Sequence, residues 1–102
     1  NSLTFNGNTT TTGALSFGSS KRQMINLWNT NYGIGIQSST QYYRTAAHFA
    51  WFRGGSHSDS GFDPGSGGSV MMVLNDSGNL GIGTTSPSID LAIGDSDTGL
   101  QQ

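Results

Sequence analysis

The stretch Gln41-Tyr42-Tyr43-Arg44-Thr45-Ala46-Ala47-His48-Phe49-Ala50-Trp51-Phe52-Arg53, closed by Gly54-Gly55, decides the fold, because it is the one place in the sequence that invites a helix. Its apolar residues hold no single stripe at 3.6-residue spacing, and the paired glycines stop it. Read at period two, Ala47, Phe49 and Trp51 share one face while His48, Ala50 and Phe52 share the other. Aromatic side chains fit a pleated, half-buried surface, so the stretch reads as strand. With the helix removed, the expected fold class is all-β.

Outward from there, the apolar runs are short and cut by turn chemistry. Residues 3–5 and 14–17 read as strands around Asn6-Gly7-Asn8 and a threonine run. Residues 23–28 form a compact apolar strand ended by Asn29-Thr30-Asn31, and residues 33–37 and 40–44 flank Ser38-Ser39 as a hairpin. Residues 69–74 are the most hydrophobic strand, which Asn75-Asp76-Ser77-Gly78 turns into residues 80–82. A last strand is expected over residues 89–93, where Ile89, Leu91 and Ile93 alternate with Asp90 and Ala92. Residues 54–68 read as a long loop holding His57, Asp59 and Asp63, and loops of that length are more often functional or disordered than accidental. The organisation is therefore one β-rich domain over 1–102: N-terminal strands to 30, an aromatic-rich middle over 31–76, and a glycine-rich C-terminal segment over 77–102.

Composition excludes several function classes. Charged residues make up 10% of the 102, against about a quarter in an ordinary soluble domain. Four Lys+Arg and a net charge of −2 leave no basic footprint for nucleic acid. No apolar run approaches the ~20 residues of a membrane span, so membrane insertion is not expected. The absence of Cys excludes disulfide scaffolds and thiolate metal sites. Aromatic residues at 10% with so little net charge speak against disorder. The sequence starts at Asn1 rather than Met, as a processed or excised chain does. With 32% hydrophobic residues and 16 Gly, which lose the most freedom on folding, a lone copy has a thin margin. Burial against copies of itself is expected.

An internal echo points the same way. Asn31-Tyr32-Gly33-Ile34-Gly35 recurs as Asn79-Leu80-Gly81-Ile82-Gly83. Glycine at alternate strand positions leaves one face bare, so a second backbone can approach, and copies around a symmetry axis are expected to meet there.

The run Ser77-Gly78-Asn79-Leu80-Gly81-Ile82-Gly83-Thr84-Thr85-Ser86-Pro87-Ser88-Ile89-Asp90-Leu91 resembles a segment of bacteriophage tail fibres and tailspikes that lies shortly before an autocleaving intramolecular chaperone domain. Ile93-Gly94-Asp95-Ser96-Asp97-Thr98-Gly99-Leu100 is similar to the segment that often follows it. The middle has the same flavour in Tyr32-Gly33-Ile34-Gly35-Ile36, Tyr42-Tyr43-Arg44-Thr45 and Trp51-Phe52-Arg53-Gly54-Gly55-Ser56-His57. The resemblance implies an elongated, intertwined β homotrimer on the virion, outside the cell, that contacts host-surface polysaccharide or an outer-membrane receptor. It also implies a C-terminal chaperone cleaved off during maturation, with Gln102 a matured end or a cut.

Tyr42, Tyr43, Arg44, His48, Trp51, Phe52 and Arg53 form the binding candidate, joined by His57 and Asp59 from the loop. Sugar rings stack their apolar faces on aromatics and hydrogen-bond Arg, Asp and His; the same residue types are enriched at protein interface hot spots. The rings serve equally as core or trimer filling, since alternation turns half of them inward. In a trimer, His57 on the axis would supply three imidazoles to a transition metal, but a polar exposed loop explains it as well, and no metal or other cofactor is expected. Asp95-Ser96-Asp97-Thr98-Gly99 imitates the start of a calcium loop one position too short, and reads as a turn.

Enzyme activity is not expected. The chain has no Glu, so paired carboxylates would have to come from its six Asp. Ser56, His57 and Asp59 are too close in sequence to adopt a triad easily. Gly-x-Gly around Ile34 and Ile82 lacks the helix of a phosphate loop. The expected function is a receptor-binding fibre tip, with a ligand-free structural shaft segment as the alternative and a polysaccharide depolymerase fragment as a third reading.

Overall fold

Strands end where the turn residues stand. A computed structural model describes residues 2–94, and among them it is all-β with no helix. Strands β1 (Gln23–Asn26), β2 (Gly33–Gln37) and β3 (Thr40–Arg44) form one antiparallel sheet in that order. Strands β4 (Phe49–Arg53), β5 (Ser69–Leu74), β6 (Leu80–Ile82) and β7 (Leu91–Ile93) form a second, in which only β6 and β7 run parallel. No strand of one sheet packs on a strand of the other. The β2–β3 hairpin turns at Ser38-Ser39, with Ser39 left-handed at φ 52°. The β5–β6 turn is held by Asn75, whose Oδ1 accepts the N–H groups of Ser77 and Asn79, each at 3.0 Å.

Register divides the second sheet into rows. Residues directly opposite on paired strands point to the same side, as do residues two apart on one strand. Ala50, Val73, Gly81 and Ala92 stand in one row of small side chains, and Val73 and Ala92 are fully buried. Their cover is the connection from β6 to β7, which crosses this face. A Cβ on Gly81 would lie 2.5 Å from the Thr84 carbonyl oxygen and 3.3 Å from Pro87 Cγ. Asn79 Nδ2 donates to the Pro87 carbonyl at 3.2 Å, and Thr84 Oγ1 accepts from the Ser86 N–H at 3.2 Å. The opposite face carries Phe49, Leu74, Leu80 and Leu91 in one row and Trp51, Met72, Ile82 and Ile93 in the next. None of these eight is fully buried.

Each sheet holds its pattern with a bulge. In β1, Gln23 pairs with Gly35 while Ile25 pairs with Ile34, so Met24 is the extra residue. The bulge puts Gln23 and Ile25 on opposite faces, where simple alternation would put them together. In β5, Met71 is extra between Val70 and Met72 and has the same effect.

Three sequence expectations are corrected. Residues 3–5 and 14–17 are not strands: no other segment pairs with them, and Leu3, Phe5 and Leu15 are exposed. Arg22 instead takes the Phe17 and Ser20 carbonyls, which bends this segment into the start of β1. The first strand stops at Asn26, leaving Leu27 and Trp28 in the turn, and the last begins at Leu91 rather than Ile89. The bare glycine faces are not open to a second chain, because the chain's own side chains fill them. Gln23 and Tyr42 lie over Gly33 and Gly35, and Thr84 and Pro87 lie over Gly81.

The result is a thin structure with extents of 51 × 36 × 24 Å and a radius of gyration of 17.0 Å. A compact 100-residue domain has a radius of about 13 Å. The chain exposes 7858 Å², where a folded monomer of its mass exposes about 5500 Å². Among the described residues, Val73 and Ala92 are the whole buried hydrophobic core.

Because the crossover backbone sits on Gly81, Gly81→Ala is expected to destabilise the protein by about 2 kcal/mol in urea unfolding, the range of overpacking. Gly13→Ala, whose Cβ would meet nothing within 4 Å, is expected to stay within about 0.5 kcal/mol.

Candidate functional site

The residues proposed from sequence as one cluster fall into three places. Tyr42 and Arg44 alternate with Tyr43 along β3, so they share the glycine face of the first sheet. There they close on Gln23. Its Oε1 accepts from Arg44 Nε at 2.9 Å, and its Nε2 donates to Asn26 Oδ1 at 2.7 Å and to the Thr30 carbonyl at 3.0 Å. The Arg44 guanidinium lies 5.0 Å from the centre of the Tyr42 ring. Gln23 is the hub of this set, and nothing in its apolar surroundings marked it in the sequence.

Tyr43 points to the other face, with Ile34 and Ile25. It lines a groove of about 480 Å³ with Phe49, Ala50, Trp51 and Leu74, which places this one residue of the first sheet beside β4 and β5. Phe49 and Trp51, two apart on β4, stand with ring centres 6.2 Å apart. Arg53 follows on the same side of β4, exposed and without a hydrogen bond or ion pair. Lys21, Arg22 and Arg44 all have hydrogen-bond partners, which makes Arg53 the free cation among the described residues.

Phe52 points to the opposite side, toward residues 54–68. With Gly54, Gly55, Ser56, His57, Ser58, Asp63 and Pro64 it lines a cleft of about 260 Å³. This loop has no strand, yet it is built. Ser56 N–H donates to the Pro64 carbonyl at 3.1 Å and Gly68 N–H to the Gly65 carbonyl at 3.0 Å. Gly55 and Gly65 take left-handed φ values of 86° and 79°, and a Cβ on either would collide with the backbone of the facing segment. Glycine is therefore required at both positions. His57 Nε2 and Asp59 Oδ1 stand 2.7 Å apart at the rim, 85% and 99% exposed. Ser56 is not among the partners of His57, so Ser56, His57 and Asp59 form no relay.

His48 belongs to neither aromatic group. Its Nδ1 accepts from the Asp76 N–H at 3.1 Å, which places the ring proton of the neutral imidazole on Nε2. Its ring lies 4.8 Å from that of Phe62, which sits left-handed at φ 61°. His48 thus ties the loop and the 75–78 turn to the start of β4. No group of three His, Cys, Asp or Glu that could hold a metal occurs among the described residues. The calcium-like run at 95–99 lies outside them.

The sequence reading passed over the eight-residue open face, although its signal is present. Phe49-Ala50-Trp51, Leu80-Gly81-Ile82 and Leu91-Ala92-Ile93 are each a large–small–large triplet, and the register aligns all three.

Asp63 fixes the loop: its Oδ1 accepts from the Gly65 N–H at 2.9 Å and its Oδ2 from Ser58 Oγ at 2.8 Å. These bonds, the Gly65 one foremost, hold its carboxyl below the ordinary carboxylate value. A depressed carboxylate stabilises the fold at neutral pH, and the contribution is lost as pH falls through the folded value. The loop is therefore expected to keep its order at neutral pH and loosen below about pH 4. In an NMR titration, Ser58→Ala should move the Asp63 midpoint upward while leaving it below that of a free Asp; an unmoved midpoint counts against this account. Comparison with protein-family models, curated proteins and solved structures found no match to this chain.

Proposed function

We propose that the chain is the receptor-binding segment of a homotrimeric β fibre of the bacteriophage tail-fibre kind, which attaches the virion to polysaccharide or another receptor in the host envelope. The observation that carries this reading is a surplus of exposed surface, with large apolar side chains such as Trp51, Ile82 and Ile93 in it. Against the compact monomer of about 5500 Å², the exposed 7858 Å² leaves an excess of about 2350 Å². A standard interface covers about 800 Å² per partner. Each subunit of a three-fold ring makes two such contacts, and the excess is large enough for both.

The Gly81-Ile82-Gly83-Thr84-Thr85-Ser86-Pro87 run that resembles tail fibres has a structural purpose that suits the reading. It is the crossover that covers one face of the sheet so that the other can be given to assembly. Receptor contact then falls to Phe52, His57 and Asp59 around the loop cleft.

A ligand-free shaft segment is the second reading, favoured by the way Tyr42 and Arg44 are closed on Gln23 rather than left open.

Sedimentation should give three times the 10.7 kDa chain mass. The trimer should bind host envelope polysaccharide on a glycan array, and Phe52→Ala or His57→Ala should weaken binding about tenfold or more with the trimer intact, as hot-spot truncation does. A trimer that binds no envelope component establishes the shaft. A chain that stays single at every concentration ends both readings.

A further inference from the structure

We infer that the open face of the second sheet is the contact surface between copies of this chain, so that Trp51 and Tyr43 are assembly residues rather than receptor residues. The inference rests on the trimer reading and deepens it by naming the face.

The residue pattern is the wrong way round for a sheet that stands alone. An antiparallel sheet with one wet face turns its large apolar side chains to the chain's own core and polar ones to water. Here the chain's own cover lies on Val73, Gly81 and Ala92 of the small row. The large side chains point to the side that the chain leaves uncovered. The row Phe49, Leu74, Leu80, Leu91 and the row Trp51, Met72, Ile82, Ile93 contain no polar residue. Trp51, Ile82 and Ile93 are 46%, 39% and 40% exposed. A sheet apolar on both faces is one buried on both faces.

Two observations select a second copy as the occupant. The first is area: the excess surface is more than the roughly 1600 Å² that two standard contacts per subunit remove. The second is charge. A lipid surface calls for a basic rim, and the chain has only four Lys+Arg in all, of which Arg44 is already held by Gln23. The first sheet adds to the same surface, since Tyr43 lines one groove with Phe49, Trp51 and Leu74.

The chain has no Cys, so single introduced thiols report unambiguously. Ile82→Cys keeps an apolar side chain of smaller size on the face, and Ser66→Cys places a thiol on the exposed loop. In the assembled protein the Ile82→Cys thiol should react with a maleimide about tenfold or more slowly than the Ser66→Cys thiol, because reaction there requires opening. A second variant, Ile82→Asp, should convert the assembly to single chains in sedimentation, while Thr85→Asp, on the exposed crossover, should leave it intact.

Equal thiol rates in a trimeric protein overturn the choice of face and leave the trimer reading standing. So does an Ile82→Asp protein that remains assembled. A wild-type chain that never assembles overturns the trimer reading itself, and the face is then left to a foreign protein or a lipid.

Discussion

The row of small residues Ala50, Val73, Gly81 and Ala92 is the constraint on which the rest depends. Val73, Gly81 and Ala92 are buried in it, Ala50 at its β4 end stays exposed, and the segment that lies over Gly81 contains no helix. Parallel strands ordinarily need a crossover of a dozen or more residues; β6 and β7 are joined by residues 83–90. So short a connection cannot stand off from the sheet. It must lie flat on it, and only small side chains leave room beneath. Glycine at 81 and alanine at 92 follow from that geometry. Large side chains are then driven to the other face.

This ordering explains which parts of the fold were legible. Turn chemistry was easy to read: Ser38-Ser39 and Asn75-Asp76-Ser77-Gly78 sit between strands that the sequence placed within one or two residues. β4 was legible as strand because its apolar residues hold no 3.6-residue stripe and its aromatic side chains suit a pleated surface. The bulges were not legible, since Met24 and Met71 look like any apolar strand residue and act only through register. Nor was Gln23, whose role depends on Gly33, Gly35 and Tyr42, residues far from it in sequence that the sheet brings beneath and beside it. The N-terminal runs misled for the converse reason. A strand needs a partner edge as well as apolar alternation, and no pattern within residues 3–17 can report that the partner is missing.

The glycine echo is a case where the residues were read correctly and their meaning was not. Gly33, Gly35 and Gly81 do leave bare strand faces, but those faces receive Gln23, Tyr42, Thr84 and Pro87 of the same chain. Ile34 and Ile82, between the glycines, point to the uncovered sides instead. The repeated Gly-Ile-Gly device therefore sorts a strand into an inner side that the chain fills and an outer side that it leaves apolar. It occurs once in each sheet, and in each the isoleucine stands with other large apolar residues.

The proposed assembly through those apolar sides would also fix where the proposed receptor can be met. Once copies cover Trp51 and Tyr43, the surfaces turned outward are the filled ones: Tyr42 and Arg44 on the first sheet, Phe52 and the loop at 54–68 on the second. Of these, Tyr42 and Arg44 are spent on Gln23, while His57 and Asp59 bond only to each other at the rim of a cleft floored by an aromatic ring. The near absence of charge belongs to the same logic. A net charge of −2 sets up little repulsion between copies, and Ser, Thr, Asn and Gln keep the outer surface hydrated without it. In such a fibre the loop at 54–68 is free to change, because no part of the sheet's burial rests on it. The crossover at 83–90 is not free, because both the buried row and the exposed apolar face exist only while it lies flat.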